Sequence, residues 1–157
     1  MREKILEQLW AEQDKAFDLM VEYDSMPHFY GTDVLYQAEA YTVRVIGDNP
    51  GTTNAEVAEK LKKTPSACSQ IIRKLIDKGL VSQIRNEHNK RIYNLTLTED
   101  GERVYKDHID FNKICQEKTF ELLREFTDEE LSIHTKVQKI INKAYQLDVC
   151  RTKERYG

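Results

Sequence analysis

The sequence predicts a mainly α-helical protein with one small β-hairpin, in which a central lobe is flanked by long helices at both ends. Three observations carry this. Apolar residues recur at helical spacing through residues 3–22 and again through 104–147. Two short capped helices follow one another within residues 53–78. Two short strand-like stretches follow at residues 80–85 and 93–97, the second alternating Tyr93, Leu95 and Leu97 with Asn94 and Thr96, around a polar, cationic tip at 86–91. Composition agrees: 32% charged and 39% hydrophobic residues, with 6 Gly and 3 Pro in 157 residues, suit a helix-rich soluble chain. At this length roughly 70% of the unfolded surface can be buried, so neither disulfide nor metal is needed for a core.

The first helix carries Ile5, Leu6, Leu9, Trp10, Phe17, Met20 and Val21 at helical spacing, and Ser25-Met26-Pro27 ends it. Residues 28–32 read as a short aromatic connector, and Asp33 as the N-cap of a second helix bearing Val34, Ala38, Tyr41 and Val45. Gly47-Asp48-Asn49-Pro50-Gly51 is a stop and turn. Thr53-Asn54-Ala55-Glu56 is a capping box opening a short helix with Val57, Ala58 and Leu61 inward. Thr64-Pro65 starts the next helix, which runs to Lys78 and stops at Gly79. Its inner face is Cys68, Ile71, Ile72, Leu75 and Ile76; its outer face is Ser66, Ser69, Gln70, Arg73 and Lys74. Residues 80–85 and 93–97 form two strands joined by the tip at 86–91. Thr98 caps a long helix to about Phe126, and Thr127-Asp128-Glu129-Glu130 opens the last, striped by Ile133, Val137, Ile140, Ala144 and Leu147.

Helix, short turn, helix and a hairpin with a basic tip is the order of a winged helix-turn-helix. The overall charge is −3, yet residues 60–91 hold nine Lys and Arg against Asp77 and Glu87, so the acidic excess lies elsewhere. Such asymmetry predicts an anion-facing surface on an acidic body. In this layout the first helix braces and the second offers its polar face to base edges. Small hydroxyl and amide groups approach closely there; glutamine can bond adenine, and arginine guanine or phosphate. Ser66, Ser69, Gln70 and Arg73 are the candidate base readers, with Thr53, Asn54, Thr64, Lys74 and Arg85 near phosphate and Lys90 and Arg91 in the minor groove. The plainer alternative is an ordinary solvent face.

Thr53-Asn54-Ala55-Glu56-Val57-Ala58-Glu59-Lys60-Leu61, then Leu75-Ile76-Asp77-Lys78-Gly79-Leu80-Val81, Lys90-Arg91 and Leu97-Thr98-Glu99-Asp100-Gly101, resemble the MarR family of bacterial transcriptional regulators. The likeness in motifs covers residues 53–101. It implies a dimer whose first and last helices interlock and whose winged lobes sit on a palindromic operator. It also implies, for many members, release by a small aromatic or phenolic ligand, and for some by cysteine oxidation or metal. One position departs. The family commonly carries an aspartate two residues before the wing arginine, where it orients that arginine; here the residue is Asn89. Its amide oxygen can accept from the guanidinium, without charge assistance.

The expected organisation is therefore an N-terminal dimerisation helix and connector (1–32), a DNA-binding lobe (33–98) and C-terminal dimerisation helices (99–157). His28, Phe29, Tyr30, Tyr36 and Tyr41 are the candidate aromatic effector pocket, with a packed joint between helices as the alternative. Cys68 reads as a buried small hydrophobe. Cys68, Cys115 and Cys150 are an odd number without CxxC, which suits a reducing cytoplasm. The four histidines lack metal-ligand spacing, no cofactor motif appears, and Asn94-Leu95-Thr96 is a sequon inside a strand. No apolar run approaches the ~20 residues of a membrane helix or the roughly 7–15 of a signal h-region. No catalytic motif is present. The expected partners are double-stranded DNA, a second copy of the chain and a small aromatic effector, without a membrane. Two rival readings stay open: a winged-helix protein-interaction module, and a small-molecule-binding enzyme.

Overall fold

Local capping signals set most of the helix starts. The computed structural model describes residues 1–156. Helix α1 spans Arg2–Ser25, α2 Gln37–Asp48, α3 Asn54–Leu61, α4 Pro65–Asp77, α5 Glu99–Leu122 and α6 Asp128–Tyr156, with a 3-10 turn at Leu123–Glu125. The strands are β1 (Pro27–Tyr30), β2 (Asp33–Tyr36), β3 (Thr52–Thr53), β4 (Val81–Arg85) and β5 (Tyr93–Leu97). The chain divides after Asn112 into two compact units.

In the first unit the core is built by Leu35, Ala40, Val43 and Ile46 from β2 and α2, Val57 and Ala58 from α3, and Cys68, Ile72 and Leu75 from α4, closed by Leu80, Val81, Leu95 and Val104. Thr53 accepts from the Glu56 amide while the Glu56 carboxylate accepts from the Thr53 amide (2.7 Å), as a capping box requires. Thr64 accepts from the Ala67 amide with Pro65 in the first turn, and Gly79 stops α4 at φ +73°. Thr98 accepts from the Gly101 amide and donates to the Gly79 carbonyl, so the start of α5 is tied to the end of α4. Gly101 is required by close approach: a Cβ there would overlap the Leu80 carbonyl oxygen.

Two stretches differ from expectation. Asp33 does not cap a helix. Residues 27–36 form an antiparallel hairpin with Phe29 opposite Val34, and α2 begins at Gln37, three residues later than an Asp33 cap implies, with Glu39 accepting from the Tyr36 amide. The cause is Gly31, which holds φ +61° at the first of two central turn positions and so makes a tight reversal available. Thr52 and Thr53 also pair with Leu95 and Asn94, giving a three-stranded sheet in the order β3-β5-β4 in place of a bare hairpin.

Helix α1 buries no residue; Ile5, Leu6, Trp10 and Phe17 are more than half exposed. In the second unit Thr127 and Glu130 form the capping box of α6, and Ile133, Ile140 and Leu147 stand exposed along that helix.

Candidate nucleic-acid interface

The outward residues of α4 are those the helical period singles out. Ser66, Ser69, Gln70, Arg73 and Lys74 are exposed, with Cys68, Ile72 and Leu75 turned into the core. Burial also pushes the Cys68 thiol pKa up, which keeps it protonated as a small apolar group. Between α3–α4 and the β4–β5 wing lies an open cleft of about 730 Å³. It gathers Thr53, Asn54, Ser69, Arg73 and Arg91 from the residues chosen on sequence, and adds Gln83, Tyr93 and Asp77. Thr64, Ser66, Gln70, Lys74, Arg85 and Lys90 lie outside it. Gln83 and Tyr93 carry no signal in the sequence beyond their place in alternating strands.

Asn54 is half-buried at the edge of the cleft and turns its amide toward α4. Its Nδ2 donates to the Pro65 carbonyl (3.1 Å) and to Ser69 Oγ (3.0 Å). The amide donors expected to meet phosphate are therefore engaged inside the protein. The Glu56 carboxyl pKa is held below the usual range by the Thr53 amide first, then by the Thr53 and Thr52 hydroxyls.

The wing tip is organised by asparagines. Asn86 Oδ1 accepts from the amides of His88 and Asn89, while its Nδ2 donates to Asn94 Oδ1 (3.0 Å). Asn89 Oδ1 accepts from the backbone amide of Arg91 (3.0 Å). Asn89 thus meets the Arg91 amide and not the guanidinium its oxygen could also have served, since a short side chain reaches the amide two residues on more readily than the far end of arginine. Lys90 and Arg91 are exposed. Arg85 is steadied by Tyr93, donating Nε–H to its hydroxyl (3.2 Å) with the guanidinium 5.7 Å from the ring centre.

Lys78, part of the basic segment, points elsewhere. Its ammonium donates to both Glu39 carboxylate oxygens (3.0 and 2.9 Å) and to the Val34 carbonyl (3.1 Å), and the Glu39 side chain is only 7% exposed. The end of α4 is thereby fastened to β2 and α2.

Of the five candidate pocket residues, His28, Tyr30 and Tyr41 gather around His108 and Phe111, with the Tyr41 ring edge-on to His108 at 5.7 Å, while Phe29 and Tyr36 are exposed. Alternation along β1 buries His28 and Tyr30 and turns Phe29 out; Tyr36 and Tyr41 are exposed too. Tyr30 Oη lies 2.9 Å from Nδ1 of buried His108, whose Nε2 meets Asn112. His28 donates Nε2–H to the Tyr23 carbonyl, and its ring and that of Tyr30 stand edge-on to Phe111. The site is a packed joint. Burial first, then Arg44 and His28, lowers the His108 pKa to about 4. Neither the α4 cleft nor a second one at residues 49–60 is lined by any of the five.

A family model for winged helix-turn-helix DNA-binding matches residues 43–82. The chain is 30% identical over 114 residues to the HTH-type transcriptional regulator BilQ of Clostridium symbiosum, an alignment covering 72% of this chain and 76% of BilQ. It is 28% identical over 95 residues to the transcriptional regulator ZitR of Lactococcus lactis, covering 60% of this chain and 66% of ZitR. The crystal structure of ZitR, described as a zinc-responsive MarR family member, superposes with a TM-score of 0.77 at 21% identity, over 90% of this chain and 99% of that one. That of Streptococcus pneumoniae FabT in complex with DNA gives 0.68 at 23% identity, over 93% and 98%. Among the described residues of this chain, no three His, Cys, Asp or Glu side chains gather in a group able to hold a metal. No described helix is long and apolar enough to cross a membrane.

Proposed function

The chain belongs to the MarR family of winged helix-turn-helix transcriptional regulators, and from that premise we propose that it is a cytoplasmic repressor binding a pseudo-palindromic operator as a homodimer. The observation that carries the reading is the outer face of α4, five exposed polar or basic side chains on a capped helix, set across a cleft from an exposed cationic wing. Such a helix enters the major groove with its first turns nearest the bases. Ser66, Ser69, Gln70 and Arg73 contact base edges; Thr53, Thr64, Lys74 and Arg85 contact phosphate; Lys90 and Arg91 reach the minor groove. Asn54, whose donors are engaged by α4, supports the reading helix instead of a phosphate.

Dimerisation is supported by the exposed apolar residues of α1 and α6, more apolar surface than a monomer usually leaves in water. Residues 1–32 and 99–157 would supply that interface around the lobe at 33–98. Relief by a small aromatic effector would act at the joint of Tyr30 and His108, which must open to admit it.

The test is selection of binding sites from random duplexes by the full chain, with sedimentation and salt titration on the selected site. The expected result is a dimer on two half-sites about 10 bp apart. Neutralising six or more phosphates gives a log–log salt slope of roughly −5 or steeper. A stable monomer at micromolar concentration, or salt-insensitive binding, would sink the reading.

A further inference from the structure

Ser69 and Gln70 are neighbours on the outer face of α4 and differ in hydrogen-bonding freedom. Both are exposed. The Ser69 hydroxyl, however, donates its proton to the Pro65 carbonyl one turn back (2.9 Å) and accepts from Asn54 Nδ2 (3.0 Å). A serine hydroxyl has one proton and two lone pairs. The proton and one lone pair are used, so a single lone pair is left for the groove.

The direction of the Asn54 amide is imposed by its surroundings. Its Nδ2 faces two oxygens, one of them the Pro65 carbonyl, which can only accept. Turning the amide over would set oxygen against oxygen. In the orientation adopted, Asn54 Oδ1 is buried without a hydrogen-bond partner among the described residues. Buried polar atoms are normally paired, so this arrangement satisfies α4 at the expense of Asn54's own acceptor.

We propose that Ser69 is a specificity residue of fixed polarity, which accepts a hydrogen bond from DNA and does not donate one, because the Pro65 carbonyl takes its proton and Asn54 fills one of its lone pairs. The base facing Ser69 is then adenine or cytosine, whose exocyclic amino groups are the donors of the major groove. Guanine and thymine offer only acceptors there, and would oppose lone pair to lone pair. Gln70 carries both a donor and an acceptor and has no such restriction. The inference rests on α4 being the reading helix of the proposed function.

The experiment takes the duplex selected by the full chain and compares wild type, Ser69→Ala and Asn54→Ala on every single-base variant. One position in each half-site should depend on Ser69, and wild type should prefer adenine or cytosine there. Replacing that adenine by 2-aminopurine, or that cytosine by 2-pyrimidinone, removes the major-groove amino group. It should weaken wild type roughly three- to tenfold, as loss of one hydrogen bond does, and leave Ser69→Ala unchanged. Asn54→Ala leaves the Ser69 proton on the Pro65 carbonyl, so the preference for adenine or cytosine at that position should persist. The base-analogue comparison needs only wild type and a substitution at an exposed site, so it does not depend on how well Asn54→Ala folds. A Ser69-dependent position that prefers guanine or thymine, or one indifferent to the amino group, overturns the inference while operator binding stands. So does the absence of any Ser69-dependent position. If selection yields no preferred sequence at all, the reading of α4 fails first and takes the inference with it.

Discussion

On the α4 face Ser66, Gln70, Arg73 and Lys74 stand in solvent, whereas in the joint beneath the β1–β2 hairpin His28, Tyr30 and His108 are buried among rings and hydrogen bonds. Both groups carry polar atoms. What separates them is where their polar atoms find partners. In the joint the partners are other protein groups, so a change there is felt as stability. On α4 and the wing the charged ends are left to solvent or DNA, so a change there is felt as affinity or base preference. Glu39 and Lys78 connect the two regions, because a buried carboxylate of α2 holds the end of α4.

The sharpest way to break this contrast is acid. His108 keeps a folded pKa of about 4 against an ordinary 6.5, so the unfolded chain binds the extra proton first. The stability this histidine contributes is present above pH 6.5 and is lost as pH falls from there toward 4. Melts between pH 6.5 and 5 should show a decline, part of a loss of about 3 kcal/mol over the whole window. His108→Asn should flatten it. Glu56 and Glu130, held low by hydrogen bonds from Thr53 and Thr127, stay ionised in that range and lose their contribution only at lower pH. An unchanged slope in His108→Asn would mean that the joint tolerates the charge.

Lys78→Met tests the connection. It leaves the Glu39 carboxylate buried without its cation, for a loss of about 2 kcal/mol, less than for a fully buried pair because Lys78 is partly exposed. If the pair also sets the angle of α4, operator affinity measured well below the melting temperature should fall as well. Loss of stability with full affinity would confine Lys78 to the joint.

The wing gives the smallest effect. Arg91→Ala should reduce the magnitude of the log–log salt slope by about 1 and leave melting unchanged, with the largest loss over A·T-rich flanks, whose narrow minor groove concentrates negative potential. Asn89 bonds the Arg91 amide and not its guanidinium, so Asn89→Asp and Arg91→Ala should act additively on DNA affinity. A coupling above about 0.5 kcal/mol in the double mutant would show that the side chains meet after all.

Much of the geometry of α3, α4 and the wing was legible in the sequence because its signals are local. The Thr53–Glu56 box, Thr64-Pro65, Gly79 and the alternation of Tyr93, Leu95 and Leu97 each act within a few residues, and the backbone follows them. Which of the aromatic residues near the hairpin are buried was not legible, for the converse reason. His28, Phe29 and Tyr30 are adjacent in sequence, and nothing local says that a hairpin will send the middle one outward. The short pairing of Thr52 with Leu95 was hidden for the same reason.

By itself the sequence determined the order of the helices α1 to α6, the inner and outer faces of α4 and the place of the cationic wing, since helical period, capping and turn chemistry are properties of neighbouring residues. The tertiary structure alone decided what each polar atom is free to do. Ser69 meets Asn54 across 15 residues, Lys78 meets Glu39 across 39 and His108 meets Tyr30 across 78. Those contacts arise only when the burial of Leu35, Val57, Leu75 and Val104 brings their elements together, because a hydrogen bond acts over about 3 Å whereas the hydrophobic pattern that assembles the elements says nothing about which donor will face which acceptor.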